Sequence, residues 1–161
     1  MDWSKLFSYD PATGDLRWLV KNKRLYGKVA GSLHANSAGT GNRLRITMAK
    51  GSVYAHRIVW EMHHGPIPVG MFIDHIDCDG TNNKLSNLRL ATHAENCRNR
   101  RLRKDNKSGE KGVCWDGFSW LAQINIEGTP TKIGRYATKE EAALAYNEAA
   151  LRHHRQFARI R

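Results

Sequence analysis

The chain lacks the features of membrane and secreted proteins. Among its 161 residues, no apolar run approaches the roughly 20 residues needed to span a bilayer, which excludes a transmembrane protein. The first ten residues contain Asp2 and no apolar stretch, so we expect no secretory signal. The three cysteines, Cys78, Cys97 and Cys114, form no Cys-x-x-Cys pair, which argues against a disulfide framework and a four-thiolate zinc site. We expect reduced thiols and a cytoplasmic protein.

Acidic residues are scarce overall but concentrated in one segment. Lys and Arg number 26 against 15 Asp and Glu, a formal net charge of +11, which favours a nucleic acid as partner. Residues 73–97 nevertheless carry four acidic and two basic side chains. Such an acidic segment is unsuited to phosphate unless a cation occupies it. The alternative is a solvated, Asp-rich loop.

Local patterns within this segment predict strand, loop, strand and helix in that order. Residues 72–76 and 88–90 have the apolar character of short strands, and residues 79–83 are typical of a loop. Thr92 and Glu95 form a capping box, which predicts a helix beginning directly after Thr92. We expect this helix to continue past residue 98 and to fray into a polar linker by residue 108.

Three residues of the segment suit phosphodiester hydrolysis, which needs a base to activate water and a Lewis acid to neutralise developing charge. Asp74 and His75 are adjacent on the first strand, and Asn96 lies one turn into the helix. If the helix packs on the hairpin, the carboxylate and the carboxamide can share one hard cation. A neutral histidine is the natural base near pH 7.

These residues, with Asn87 before Leu88-Arg89-Leu90, resemble the motif of HNH endonucleases, in particular the homing endonucleases of phages and introns. The resemblance implies a ββα-metal core in which His75 is the general base and Asp74 and Asn96 hold a divalent cation, Mg²⁺ with Mn²⁺ as an alternative. It also implies that Asn87 orients His75 or pins the loop, and that the products carry 5′-phosphate and 3′-hydroxyl ends. His93 lies on nearly the same helix face as Asn96, so either residue can complete the motif.

Each of these residues also has a plainer interpretation: a surface Asp–His pair, a turn asparagine and an asparagine on a helix surface. A DNA-binding regulator with an inactive nuclease centre therefore remains an alternative function, and an RNA-binding or RNA-cutting protein a second. By composition and motif we expect three segments: a basic, β-rich region over 1–52, the nuclease core over 53–105 and a C-terminal module over 106–161. The expected phosphate contacts of the first two segments are basic side chains: Arg43, Arg45, Arg98, Arg100, Arg101, Arg103 and Lys104.

The C-terminal module is predicted to be a three-stranded sheet followed by a helix that begins at a second capping box, Thr138 and Glu141. Strand alternation sets Trp120, Ala122, Ile124 and Ile126 against Leu121, Gln123 and Asn125, and we expect the second set to face DNA. Aromatic and polar side chains spread over the sheet are the candidate DNA contacts: Lys111, Trp115, Trp120, Gln123, Asn125, Lys132 and Arg135.

Residues 108–158 resemble the plant Apetala-type, ethylene-response-factor DNA-binding domain through Gly112-Val113, Ala122-Gln123-Ile124, Ile133-Gly134 and the segment 138–150. The resemblance implies a sheet that enters the major groove. A small packing module with scattered charges is the alternative. The fold class expected for the whole chain is α+β, and the expected partner is double-stranded DNA, bound by a monomer in the cytoplasm of a phage-infected host. We expect no membrane and no small-molecule substrate.

Overall fold

The computed structural model describes residues 1–35, 42–49, 51–102 and 105–158. It divides into two compact units, Met1–His93 and Ala94–Arg161. Within the described ranges, no helix combines the length and apolar character needed to cross a lipid bilayer.

The described residues of the first unit form three small antiparallel sheets, one α-helix and two short 3₁₀ helices, Trp3–Lys5 and Leu85–Asn87. The sheets pair β1 with β2, β3 with β4 and β5, and β6 with β7. The bounds are β1 Phe7–Tyr9, β2 Leu16–Trp18, β3 Ser32–Ala35, β4 Asn42–Met48, β5 Gly51–Tyr54, helix α1 Ala55–His64, β6 Phe72–His75 and β7 Leu88–Ala91. The predicted strand–loop–strand segment is thus present, and the next helix, α2, spans His93–Arg98.

Helix α2 is shorter than predicted, since it ends at Arg98. The backbone N–H of Arg100 bonds to the carbonyl of Cys97, three residues earlier. Such a bond tightens the last turn of a helix and satisfies one of its terminal carbonyls. The basic run that begins at Arg98 therefore lies mostly beyond the helix, and its Arg103 and Lys104 fall outside the described residues.

One hydrophobic core holds the first unit together. It combines residues from the N-terminal strands, from α1 and from the β6–β7 hairpin: Trp3, Phe7, Leu16, Ala30, Ile46, Ala55, Ile58, Val59, Trp60, Ile73 and Leu88. The boundary expected between residues 52 and 53 therefore does not separate compact units, because it would cut through this shared core. Burial of apolar surface across that point is the physical reason.

The second unit has the predicted three-stranded sheet and helix. The strands are β8 Val113–Trp115, β9 Trp120–Ile126 and β10 Thr129–Tyr136, with β9 in the centre, and helix α3 spans Lys139–His154. The capping box at Thr138 and Glu141 is confirmed. The core consists of aliphatic side chains and one tyrosine from the sheet and from α3: Val113, Ala122, Ile124, Ala142, Tyr146 and Ala150.

The second unit begins earlier than the boundary expected at residue 106. The Nζ atom of Lys111 donates to the backbone carbonyl of Arg98, which joins the end of α2 to the segment before β8. This contact agrees with a second unit that begins at Ala94. Within that sheet, Ala122 and Ile124 are buried and Gln123 and Asn125 are exposed, as alternation predicts.

Candidate active site

The β6–β7 hairpin presents Asp74 and His75, and its register selects the partner of Asp74. Asp74 lies directly opposite Arg89 in the antiparallel pair. One carboxylate oxygen, Oδ2, accepts hydrogen bonds from Arg89 Nε at 2.9 Å and Arg89 Nη2 at 2.8 Å. The side chains are 5% and 14% exposed, so water screens the pair poorly. Asp74 is thus held as half of a buried ion pair.

His75 occupies the end of β6 and is oriented by an asparagine. Its Nε2 lies 3.1 Å from Oδ1 of Asn83, and the residue is only 5% exposed, more buried than expected for a base facing DNA. An amide oxygen only accepts, so Nε2 carries the proton and Nδ1 is the basic atom of the neutral ring. Burial lowers the pKa of His75, although the hydrogen bond to Asn83 opposes this shift.

A second histidine contacts the first. The ring of His56, on α1, meets the His75 ring edge-on, and Tyr54 stacks on His56 at 5.6 Å and 12°. Burial, followed by the charges of His75, Arg43 and Arg57, lowers the pKa of His56 to about 3. Within the part of the chain that the structure describes, Nδ1 of His56 is buried without a hydrogen-bond partner.

Asn87 fastens the loop between the two strands. Its Nδ2 donates to Oδ1 of Asp77 at 2.9 Å and to the carbonyl of Asn82 at 2.8 Å, and its Oδ1 accepts from the Asp77 N–H at 3.1 Å. Of the two roles expected for Asn87, these contacts match the pinning of the loop. The contact that orients His75 comes from Asn83 instead.

The loop is also held by its own carboxylate. Asp77 is exposed, so the desolvation that would raise its pKa is outweighed by hydrogen bonds from the Asp79 backbone N–H and from the Asn82 and Asn87 amides. The net effect lowers the pKa of Asp77, which therefore stays ionised. Its charge and that of Asp74 both act on the His75 ring.

The carboxylates of the site form no dense metal cluster. Among the described residues there is no group of three or more His, Cys, Asp or Glu side chains able to hold a metal ion. A cation such as Mg²⁺ accepts one or two carboxylates and fills its remaining positions with water and phosphate oxygens. The Asp74 carboxylate is an oxygen donor of the kind that such a cation takes.

The two candidates for the third motif position lie at the division between the units. Asn96 is half-buried on α2 and belongs to the second unit. His93, the first residue of α2, belongs to the first unit, and its ring meets that of Phe72 edge-on at 6.0 Å. The pairing of Asp74 with Asn96 stays a prediction.

The residues expected to contact DNA differ in their exposure and in their side-chain partners. Arg43 lies over the Tyr54 ring at 5.9 Å, and Nε of Arg45 donates to Ser52 at 2.7 Å. Most of the candidates are exposed: Arg45, Arg100, Arg101, Trp115, Gln123, Asn125, Lys132 and Arg135. Those that are half-buried are Arg43, Arg98, Lys111 and Trp120.

Two candidates in the second unit have structural partners that the sequence did not indicate. Trp120 packs against the core of that unit, because it lies on the same face of β9 as Ala122. Its availability to DNA is therefore smaller than expected. Arg135 is exposed, but its Nε donates to Oδ2 of Asp116 at 2.7 Å, and this bond lowers the pKa of the carboxyl.

Comparison with known proteins identifies the family. Residues 53–98, the segment that contains the β6–β7 hairpin, match the HNH endonuclease family model. The chain is 40% identical over 108 residues to Protein 3.8 of Escherichia phage T7, which covers 66% of this chain and 88% of that protein. The chain belongs to the HNH endonuclease family. This HNH endonuclease is therefore an enzyme that cuts nucleic acid phosphodiesters.

Two further relatives carry HNH names. The uncharacterized HNH endonuclease L560 of Acanthamoeba polyphaga mimivirus is 34% identical over 98 residues, which is 60% of this chain and 51% of that protein. The chain thus spans about half the length of that relative. The solved structure "DNA binding and cleavage by the HNH homing endonuclease I-HmuI" superposes on this chain with a TM-score of 0.41 and 19% sequence identity. The superposition covers 93% of this chain and 86% of that one.

The sequence of this HNH endonuclease did not indicate three residues of the site. Asn83 looked like one of several loop residues, and nothing local distinguishes it from Asn82. Arg89 looked like the exposed member of an alternating strand, since its pairing with Asp74 depends on register. The contact of His56 with His75 joins residues that are distant in sequence, so no local pattern indicates it.

Proposed function

We propose that the protein is a metal-dependent DNA endonuclease in which His75 is the general base and Asp74 and Asn96 hold one divalent cation. The observation that carries the proposal is the state of the His75 ring, which donates from Nε2 to Asn83 and whose pKa is lowered by burial. Such a ring is neutral near pH 7 and basic at Nδ1, which are the properties required of a base that activates water.

In this mechanism Nδ1 of His75 accepts a proton from a water molecule whose oxygen attacks phosphorus. The bond from phosphorus to the 3′-oxygen breaks and the departing oxygen takes a proton from solvent water, which leaves 5′-phosphate and 3′-hydroxyl ends. The 5% exposure of His75 means that the phosphate must approach the small exposed part of the residue. Asn83 accepts from the opposite nitrogen throughout and keeps the ring from rotating.

Asp74 is the carboxylate that would hold the cation. HNH nucleases generally use a divalent metal, and Mg²⁺ suits a carboxylate and a carboxamide better than a softer ion does. When bound, the cation supplies charge stabilisation to the departing 3′-oxygen. Arg89 keeps the Asp74 carboxylate in one orientation through two hydrogen bonds, so that the ligand is preorganised.

Double-stranded DNA is the proposed substrate, and homing the proposed biological activity. The net charge of +11 favours a polyanion, and exposed arginines flank the site in sequence on both sides. The exposed face of the C-terminal sheet, with Gln123 and Asn125, is the proposed base-reading surface of an ethylene-response-factor-like domain. A DNA-binding regulator with an inactive centre is the alternative that the same basic surfaces support.

A plasmid assay tests the proposal. Supercoiled DNA is incubated with protein and Mg²⁺, with and without chelator, alongside His75→Ala and the exposed control His153→Ala. We expect nicked or linear products from the wild type and the control, and none from His75→Ala or in chelator. A gel shift shows whether each variant still binds DNA. If all variants bind DNA and none cuts it with Mg²⁺ or Mn²⁺, the protein is a regulator; competition by RNA over duplex DNA would indicate an RNA-directed protein.

A further inference from the structure

Asn83 is buried more deeply than its position in a polar loop requires. It is 1% exposed, and its Oδ1 accepts from Nε2 of His75. Its Nδ2 is buried without a hydrogen-bond partner among the described residues. A buried amide nitrogen without a hydrogen-bond partner is destabilising relative to an apolar residue of similar size. Packing alone therefore does not explain an asparagine here.

The backbone around Asn83 is held by a distant part of the chain. The Tyr9 hydroxyl, at the end of β1, accepts a hydrogen bond from the N–H of Leu85 at 2.8 Å. The same hydroxyl donates to the carbonyl of Asn83 at 3.4 Å. One side chain thus bonds to the backbone on both sides of residue 84.

A glycine of the same hairpin fits against the same segment. Gly14, in the turn between β1 and β2, has φ of +84°, and a Cβ at that position would meet the Lys84 nitrogen at 2.6 Å and the Asn83 carbonyl carbon at 2.8 Å. Only glycine permits this approach of one backbone to the other. The β1–β2 hairpin therefore holds the Asn83 segment through a hydroxyl and through direct backbone contact.

We infer that Asn83 is a positioning residue for His75 and that the β1–β2 hairpin, through Tyr9, fixes Asn83 for that task. The inference rests on the proposed role of His75 as the base. Asn83 selects the tautomer with a basic Nδ1, and Tyr9 sets the depth and direction of the Asn83 carboxamide. The N-terminal hairpin then acts on His75 indirectly, through the contact between Tyr9 and Asn83, which are 74 residues apart in sequence.

Ring nitrogen spectroscopy gives a test that does not depend on cleavage. Proton–nitrogen correlation spectra of the histidine rings, recorded on the full chain without metal or DNA, assign the protonated nitrogen of His75. Three variants are compared with the wild type: Tyr9→Phe, which removes only the hydroxyl, Asn83→Ala, and Asn83→Asp, which keeps an acceptor oxygen. Tyr26→Phe, an exposed tyrosine of the same N-terminal segment, is the matched control.

We expect wild type and Tyr26→Phe to hold the proton on Nε2, Asn83→Ala to lose this preference, and Asn83→Asp to retain it. With plasmid and Mg²⁺, we expect kcat to fall about 10–100-fold in Asn83→Ala and less in Tyr9→Phe, with KM unchanged, the size of effect typical of groups that orient a functional imidazole. Thermal midpoints identify any variant that fails to fold, in which case Tyr9→Phe and Asn83→Asp carry the test.

The inference is overturned if either Tyr9→Phe or Asn83→Ala, when folded, matches Tyr26→Phe in both the His75 spectrum and kcat. It is also overturned if the losses lie in KM alone, because a positioning residue acts on the chemical step. Absence of cleavage by the wild type would contradict the proposed function. In that case the spectra still decide whether Asn83 and Tyr9 fix the tautomer.

Discussion

The ring of His56 meets the ring of His75 edge-on, with centroids 5.0 Å apart and an interplanar angle of 79°. Both imidazoles are buried, and the pKa of each is lowered chiefly by that burial. Burial disfavours a charge on either ring, and a charge on one ring further opposes protonation of the other, so the neutral pair is favoured. A base that must remain unprotonated gains from such a neighbour.

The first prediction is that stability falls on acidification because of His56. Its pKa is about 3 in the folded protein against 6.5 for the unfolded chain, so the unfolded state binds more protons between these values. Above pH 6.5 the His56 ring is neutral in both the folded and the unfolded protein, so it does not change the free energy of unfolding. As the pH falls from 6.5 towards 3, protonation of His56 in the unfolded chain progressively lowers that free energy. At pH 4.5 the penalty is roughly 2–3 kcal/mol, from about 1.4 kcal/mol per pH unit.

Urea unfolding at pH 7 and pH 4.5 measures this difference. His56→Phe keeps a ring in the same place and is expected to lose that part of the pH dependence, while His64→Phe, an exposed histidine of the same helix, retains it. Equal pH dependence in the wild type and in His56→Phe would show that His56 titrates normally in the folded protein.

The order of elements around the site could be predicted because its signals are local. Alternation at residues 88–90, the turn residues at 79–83 and the residues around Thr92 each specify their own conformation. The pairing of Asp74 with Arg89 could not be predicted, because it depends on which residues of two strands face each other. A shift of register by one residue would have changed the partner.

The unit boundary was harder to predict for a related reason. Composition changes near residue 53, where a glycine-rich, basic region gives way to a helical pattern. The core, however, joins Phe7 and Leu16 to Ile58 and Leu88, and such contacts between distant segments leave no mark in composition. The contact of Tyr9 with the Asn83 segment was invisible for the same reason.

The second prediction concerns the buried ion pair. Arg89→Met removes the guanidinium and leaves the Asp74 carboxylate buried without it, which is expected to lower the free energy of unfolding by about 3 kcal/mol. Arg135→Met removes an ion pair whose arginine is exposed, and we expect little change because water screens that pair. Chemical denaturation of both variants at pH 7 provides the comparison. Equal losses of unfolding free energy in the two variants would mean that burial of the Asp74–Arg89 pair does not add to its contribution to stability.

The third prediction distinguishes Asn96 from His93 at the third motif position. If Asn96 is the ligand, Asn96→Ala abolishes Mg²⁺-dependent cleavage and weakens Mn²⁺ binding, while His93→Ala leaves both nearly unchanged. Replacement of a carboxamide removes an oxygen ligand that hard cations prefer, whereas an imidazole suits softer metals. Titration with Mn²⁺ followed by electron paramagnetic resonance, together with the plasmid assay, measures both effects. The opposite pattern would assign the position to His93.

The fourth prediction tests the exposed face of the C-terminal sheet. Gln123 on β9 lies opposite Lys132 on β10, and both side chains are exposed. If this face meets DNA, Lys132→Ala weakens binding to all duplexes and reduces the salt dependence, because a phosphate contact is lost. Gln123→Ala instead weakens binding to the preferred site more than to random DNA, because a base-edge contact carries sequence information. Arg152→Ala, an exposed cation on α3, is the charge-matched control for Lys132→Ala. Fluorescence anisotropy over a range of salt concentrations separates these effects. If the DNA affinities of Lys132→Ala and Arg152→Ala depend on salt concentration with the same slope, the sheet is a packing module rather than a DNA-reading surface.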